Sequence, residues 1–157
     1  MTLPGGAFVS LKDTHFIGGN TGVLLTNGSP ASGPLQLNVE RSSFTQFFVA
    51  GIQASDTNAT ISDSNFELIG GFSAASAGAI CMATSTTPQW FINNDKFSFN
   101  NDGLSLAASC SARLSNSTFS QNTTGISSAS ANVVSYRNNV FVGNGTDGAP
   151  SMSTSFK

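Results

Sequence analysis

A phenylalanine preceded by a short apolar alternation and a polar turn recurs six times along the chain, at Phe16, Phe44, Phe66, Phe97, Phe119 and Phe141. The intervals are 28, 22, 31, 22 and 22 residues, a base period of 22 lengthened twice. A period of this length marks a solenoid, because each unit is too short to bury a core alone. Five residues before each phenylalanine stand Leu11, Val39, Ile61, Ile92, Leu114 and Tyr136. Seven before it stand Val9, Leu37, Ala59, Trp90, Ala112 and Val134. Apolar residues at alternate positions describe a strand with one buried face. Three before it come Asp13, Arg41, Asp63, Asn94, Asn116 and Asn138, and two before it Thr14, Ser42, Ser64, Asp95, Ser117 and Asn139. Most of these side chains bond local backbone and tolerate left-handed turns. Gly22, Gly51, Gly78, Gly103 and Gly125 each open a third short apolar run.

Each unit therefore reads as strand, tight polar turn, phenylalanine strand, turn, glycine, strand. Such units satisfy their backbones only by stacking, each strand pairing with the one above and below at about 4.8 Å. The spacing predicts an all-β parallel β-helix of about six coils with three short strands per coil, on the order of 29 Å long. One domain over 1–157 is expected, with projecting loops at about 27–34 and 68–77. The phenylalanines should form one continuous buried column. The residues three before them should form a polar column at one corner, each amide placed to donate to the next coil's carbonyl.

Hydrophobic residues make up 39% of the 157 and charged residues only 9%, against about a quarter in an average domain. Ser, Thr, Asn and Gly fill the difference, as on a solvated solenoid surface, and the apolar periodicity excludes a disordered chain. With six basic residues and a net charge of −2, the chain has no footprint for nucleic acid. No apolar run is long enough for a membrane span. Residues 1–6 have neither a basic nor an apolar leader pattern, so a mature piece or a segment of a longer chain is expected.

The sixfold pattern of apolar-x-apolar, Asn/Asp-Ser/Asn-x-Phe and Gly-apolar resembles the right-handed parallel β-helix repeat of the pectin-lyase-like superfamily, over essentially the whole chain. That resemblance implies the fold, while the superfamily hosts lyases, hydrolases, phage spikes and adhesins. Phe97-Ser-Phe-Asn100, Phe119-Ser-Gln-Asn122 and Phe141-Val-Gly-Asn144 are also similar to the Phe-x-x-Asn motif of polymorphic outer-membrane proteins, and Gly5-Gly-Ala-Phe8 and Ala77-Gly-Ala-Ile80 approach their Gly-Gly-Ala-Ile motif. That likeness implies a surface passenger with an adhesive role.

Enzymes of this fold draw acids from successive coils into a groove. Asp13, Asp63 and Asp95, with Arg41 between the first two, are the candidates here, as a carboxylate pair or a calcium cluster. The uncharged Asn94, Asn116 and Asn138 at the same position favour a turn column instead. Asn100-Asn-Asp-Gly103 is similar to the Asn-Thr-Asp-Gly motif of polygalacturonases, but their paired-aspartate, His-Gly and Arg-x-Lys motifs are lacking. His15, the one histidine, reads as a surface residue, and no metal site is expected. The expectation is no catalytic residue, no cofactor and no metal. A polysaccharide lyase or glycoside hydrolase of the same superfamily is the alternative.

Trp90 falls in the inward column between Ala59 and Ala112, which leaves room for its bulk. Phe47 and Phe48 cannot both face inward, and Phe72 is expected to cover the outward one. Cys81 and Cys110 lie in adjacent coils but three and seven residues past their glycines, so a disulfide and two buried thiols stay equally open. Five Asn-x-Ser/Thr sequons occur, at Asn27, Asn58, Asn116, Asn122 and Asn144. In a secreted eukaryotic protein the loop positions Asn27, Asn58 and Asn144 are expected to carry glycans first. The expected protein is an extracellular or cell-surface, structural or adhesive module. Its expected partners are copies of itself, further coils of the same chain, a carbohydrate or a host surface.

Overall fold

The computed structural model describes residues 1–70, 75–129, 131–148, 150 and 152–154, the last three without side chains. In chain order the strands are β1 (Thr2–Leu3), β2 (Phe8–Lys12), β3 (His15–Asn27), β4 (Leu35–Glu40), β5 (Ser43–Ser55), β6 (Thr57–Ser62), β7 (Asn65–Glu67), β8 (Ala77–Met82), β9 (Gln89–Asn93), β10 (Lys96–Ser98), β11 (Asp102–Leu106), β12 (Ser111–Ser115), β13 (Thr118–Ser120), β14 (Thr124–Ser128), β15 (Asn132–Tyr136), β16 (Val140–Val142) and β17 (Met152–Thr154). Every pairing is parallel. One sheet runs β17-β15-β12-β9-β6-β4-β2. The other runs β14-β11-β8-β5-β7-β10-β13-β16, with β3 on β5 and β1 on β3. The chain is thus a parallel β-helix of about six coils.

From the third coil on, the phenylalanine strand and the glycine strand are separate. In the first two coils they merge into the 13-residue strands β3 and β5, with a register shift between Gly19 and Thr21. Two corners shape each coil. The first turns through a left-handed residue: Asp13, Arg41, Asp63, Asn94 or Asn116, at φ between 47° and 59°. The second turns likewise at Gln46, Leu68, Phe99 and Gln121, at φ between 54° and 62°. A single left-handed residue bends the chain sharply from one strand into the next without needing a hairpin.

The phenylalanines stack in register through all six coils, ring centroids 4.7–5.0 Å apart and planes within 6° of parallel. Phe44, Phe66, Phe97 and Phe119 are fully buried, while Phe16 and Phe141 are partly buried at the two ends. The glycine column has a steric cause. A Cβ on Gly22, Gly51, Gly78, Gly103 or Gly125 would sit 2.6–2.8 Å from a carbonyl oxygen of the next coil, closer than carbon and oxygen can pack. Trp90 is buried between Ala59 and Ala112, and its indole N–H donates to Thr57 O at 3.0 Å. Phe47 points inward and Phe48 outward. The proposed cover, Phe72, lies outside the described residues.

Two expectations about the path of the chain need correction. In the last full coil Val133 and Ser135, not Val134 and Tyr136, pair with Ala112 and Leu114. One extra residue in the turn before Phe141 shifts the alternation by one, and Asn138 has no left-handed φ. The segment 27–34 lies down on the N-terminal strand: Gly28 N–H donates to Leu3 O at 2.8 Å and Gly6 N–H to Pro34 O at 3.3 Å. Of the expected loop 68–77, residues 71–74 lie outside the described set. Its flanks are tied down, with Ile69 buried and Gly70 N–H donating to Phe47 O at 2.9 Å.

Candidate functional site

The first corner carries the acids on which an enzyme would depend, and their partners decide what they can do. Arg41 grips Asp13 with two hydrogen bonds of 2.8 and 2.9 Å, and this pairing lowers the Asp13 pKa. Arg41 also bonds Glu40, which pairs with Lys12 at 3.2 Å. Asn94 Nδ2 donates to Asp63 Oδ1 at 2.6 Å, Asn116 Nδ2 to Asn93 Oδ1 at 2.9 Å and Asn138 Nδ2 to Asn116 Oδ1 at 2.6 Å. The six residues do share one corner. Their bonds run side chain to side chain, though, not to the next coil's carbonyls, and at all but Asn138 left-handed backbone aims them away from the ladder.

The bonds to backbone come from the next column. Thr14 N–H donates to Ser42 Oγ, Ser42 N–H to Ser64 Oγ, Ser64 N–H to Asp95 Oδ1, Asp95 N–H to Ser117 Oγ and Ser117 N–H to Asn139 Oδ1, at 2.7–3.3 Å. Each side chain thus caps the corner of the coil before it, where strand pairing is interrupted. Asp95 also accepts from Asn93 N–H at 3.1 Å. It is almost fully buried. Burial pushes its carboxyl up to about 7, and the two backbone bonds only partly offset that. The candidate acids therefore do not converge: Asp13 and Asp63 sit on an exposed ladder, and Asp95 faces inward one residue along.

Asp56, not singled out from the sequence, is buried and wrapped by the 84–86 turn. Its carboxylate accepts from the N–H groups of Thr84, Ser85 and Thr86 at 2.9–3.0 Å and from both threonine hydroxyls. Burial alone would raise its pKa, but these donors outweigh burial and hold it well below the usual carboxylate range. It pins the long connection of the third coil. Asp102 is pushed up by burial and opposed by the Thr124 and Ser127 hydroxyls, while its motif neighbour Asn100 is buried in a second ladder. His15 is exposed, its Nδ1 2.6 Å from Ser43 Oγ. Among the described residues no three His, Cys, Asp or Glu side chains converge as a metal site.

The second ladder holds the Phe-x-x-Asn positions. Asn100, Asn122 and Asn144 donate Nδ2 to Phe66 O, Phe97 O and Phe119 O, each at 3.0 Å. Two of its members, Asn122 and Asn144, belong to sequons. The Asn122 and Asn144 amides are engaged. Asn27, expected in a loop, ends β3 with its amide buried and donating to Gly33 O and Asp56 O. Asn58 is half-buried, as Asn144 is, but bonds only through its Oδ1 among the described residues, and Asn116 is exposed while bonding Asn93 and Asn138. Cys81 and Cys110 are bridged, Cα atoms 6.4 Å apart. Cys81 pairs across the sheet with Leu106. The turn closed by Cys110 N–H on Ala107 O at 2.9 Å brings Cys110 back over it, which cancels the mismatch counted from the glycines.

The outer face of the β2-β4-β6-β9 sheet carries a concavity that sequence reasoning missed. Phe8, Gln36 and Asn58 stand in register, with Gln89 next, its N–H on Asn58 Oδ1 at 2.9 Å. Asn38, Thr60, Phe91 and Arg113 form the neighbouring row. All of these except Arg113 line a shallow groove of about 330 Å³ bounded by Phe8 and Phe91, which are 67% and 41% exposed. The signal was present as aromatics at outward positions of the alternation.

A family model described as right handed beta helix region matches residues 3–157. The comparisons with curated proteins and with solved structures returned no match.

Proposed function

Because the chain belongs to the right-handed β-helix family, we propose that it is a non-catalytic extracellular module with a structural or adhesive role, continued by further coils of its own chain or by copies of itself. The family fold leaves catalysis open, so the reading rests on how the acids are used. The observation that carries it is the dispersal of Asp13, Asp63 and Asp95: one is held by Arg41, one takes an asparagine amide and one caps buried backbone. A retaining or inverting pair needs two carboxyls facing one bond. The Cys81–Cys110 bridge supports an oxidising compartment. Coil-on-coil continuation is supported by the end faces. Val9, Leu11, Phe16 and Val23 line an open hollow of about 270 Å³ at one end, and Tyr136, Phe141 and Pro150 line one of about 440 Å³ at the other.

The test is incubation with neutral and acidic polysaccharides, with and without calcium, followed by assay for new reducing ends and unsaturated uronates. No product over the buffer control is the expected result. Release that depends on Asp63 or Asp95 overturns the reading in favour of a polysaccharide lyase or hydrolase.

A further inference from the structure

We infer that the groove between Phe8 and Phe91 is a binding site for a neutral, extended oligosaccharide lying along the helix axis. The inference starts from a contrast within the molecule. At both corners the polar side chains spend their hydrogen bonds on the coil above or below. On this face they do not: among the described residues the side-chain amides of Gln36, Asn38 and Gln89 have no hydrogen-bond partner, and Asn58 uses only its Oδ1. Four amides thus offer donors and acceptors to solvent on a rigid parallel sheet. An amide both donates and accepts, as a sugar hydroxyl does.

The two aromatics supply the other half of sugar recognition, flat apolar faces for the C–H surfaces of a pyranose ring. Exposing two phenylalanines on one rigid sheet costs solvation that a binding role explains. The Arg113 guanidinium lies 5.5 Å from the centre of the Phe91 ring, a cation–π contact that restrains the ring. Arg113 belongs to the following coil, so the ring's other face is left toward the groove. Phe8 and Phe91 stand three coils apart, about 14 Å at the strand spacing, and Gln36 and Asn58 fill the rungs between. The rungs recur at about 4.8 Å, close to the rise of one residue in a straight β-linked glycan, so successive sugars would meet equivalent amides. The lining itself carries no charge, and Arg113 beyond it lies over the Phe91 ring, so a uronate carboxylate would lose water without a cation in the groove to receive it. An N-glycan on Asn58 would fill the same groove, so occupation of that sequon and binding of a free glycan exclude each other.

The inference deepens the adhesive reading and rests on it. The test uses the whole chain made in bacteria, free of N-glycans, with cellotetraose and chitotetraose as neutral probes and tetragalacturonate as the acidic one. Calorimetry is expected to show saturable binding of at least one neutral probe, with tetragalacturonate bound at least tenfold more weakly. Phe8→Ala and Phe91→Ala, both at exposed positions, should each weaken binding at least tenfold with circular dichroism unchanged. Gln36→Ala gives a second readout that leaves the aromatics intact, with a loss of at least threefold. No binding of either neutral probe at millimolar concentration, equal binding by the Phe variants, or preference for tetragalacturonate overturns the inference. Product analysis of the same mixtures separates the two readings. Cleavage would end the non-catalytic reading, whereas absent binding without cleavage ends only the proposed site.

Discussion

At the scale of single residues, two buried aspartates respond to pH with opposite sign. Asp95 has a folded pKa of about 7 because burial disfavours its charge. The folded state therefore holds its proton more tightly than the unfolded chain does. Its contribution is fully present below the unfolded value of 3.8 and is lost as pH rises to about 7. Asp56 is held low by five donors, so its contribution is present above the unfolded value and is lost as pH falls through the acid range. Asn139 holds the equivalent column position with an amide, in a corner one residue longer: Ser117 N–H donates to its Oδ1 at 2.8 Å and its Nδ2 donates to Leu114 O at 2.8 Å, whereas an amide at 95 keeps the Ser64 bond and gives up the one from Asn93 N–H. We expect Asp95→Asn to raise stability at pH 8 by on the order of 1–4 kcal/mol and to flatten the decline between about pH 4 and pH 7. Urea unfolding of both proteins across that range checks it. An undiminished decline in the variant would place the titration elsewhere.

At the scale of the elements, the phenylalanine strands and the glycine column work as one unit. Each glycine removes the Cβ that would strike the next coil's carbonyl, and the phenylalanine ring of that next coil fills the space alongside. A Cβ at Gly103 would lie 2.9 Å from Phe119 Cδ1. The ring packs between Phe97 and Phe141 at 4.8 and 5.0 Å with no exposed surface. Phe119→Ala should therefore cost about 3–5 kcal/mol, through lost burial and a cavity that rigid neighbouring coils cannot close. Chemical denaturation measures this directly. A cost under about 1 kcal/mol would mean that the column contributes packing order but little stability.

At the scale of the whole molecule, coils touch only their neighbours, so stability falls toward uncovered ends. Among the described residues Phe16 and Phe141 have one stacking partner each and are partly buried, whereas the four central rings have two. We expect amide exchange to be slowest around Phe66, Phe97 and Phe119 and at least tenfold faster around Phe16 and Phe141. Mass-resolved hydrogen exchange at high and low protein concentration tests this, and also tests association. Terminal coils that become protected as concentration rises would be covered by a second copy. Uniform protection at all concentrations would contradict the nearest-neighbour picture.

The repeat was legible in the sequence because each of its columns answers one local demand. Phenylalanine fills the core, glycine avoids a carbonyl, and Asp or Asn accepts a left-handed corner. These demands recur every coil, so the period, the parallel stacking and the ring column all follow from spacing alone. What escaped spacing depended on the path of the chain between columns. One extra residue before Phe141 moved Val133 and Ser135 inward, and a tight turn brought Cys110 onto Cys81. Asn27 looked like a loop residue until its amide was placed between Gly33 O and Asp56 O. Asp95 and Asp63 differ by the direction of one left-handed turn, which sent one carboxylate inward and the other to solvent. The groove between Phe8 and Phe91 was out of reach for the same reason. Those residues are 83 apart in sequence, and only the stacking of four coils, each offset by its own loop length, sets them on one face.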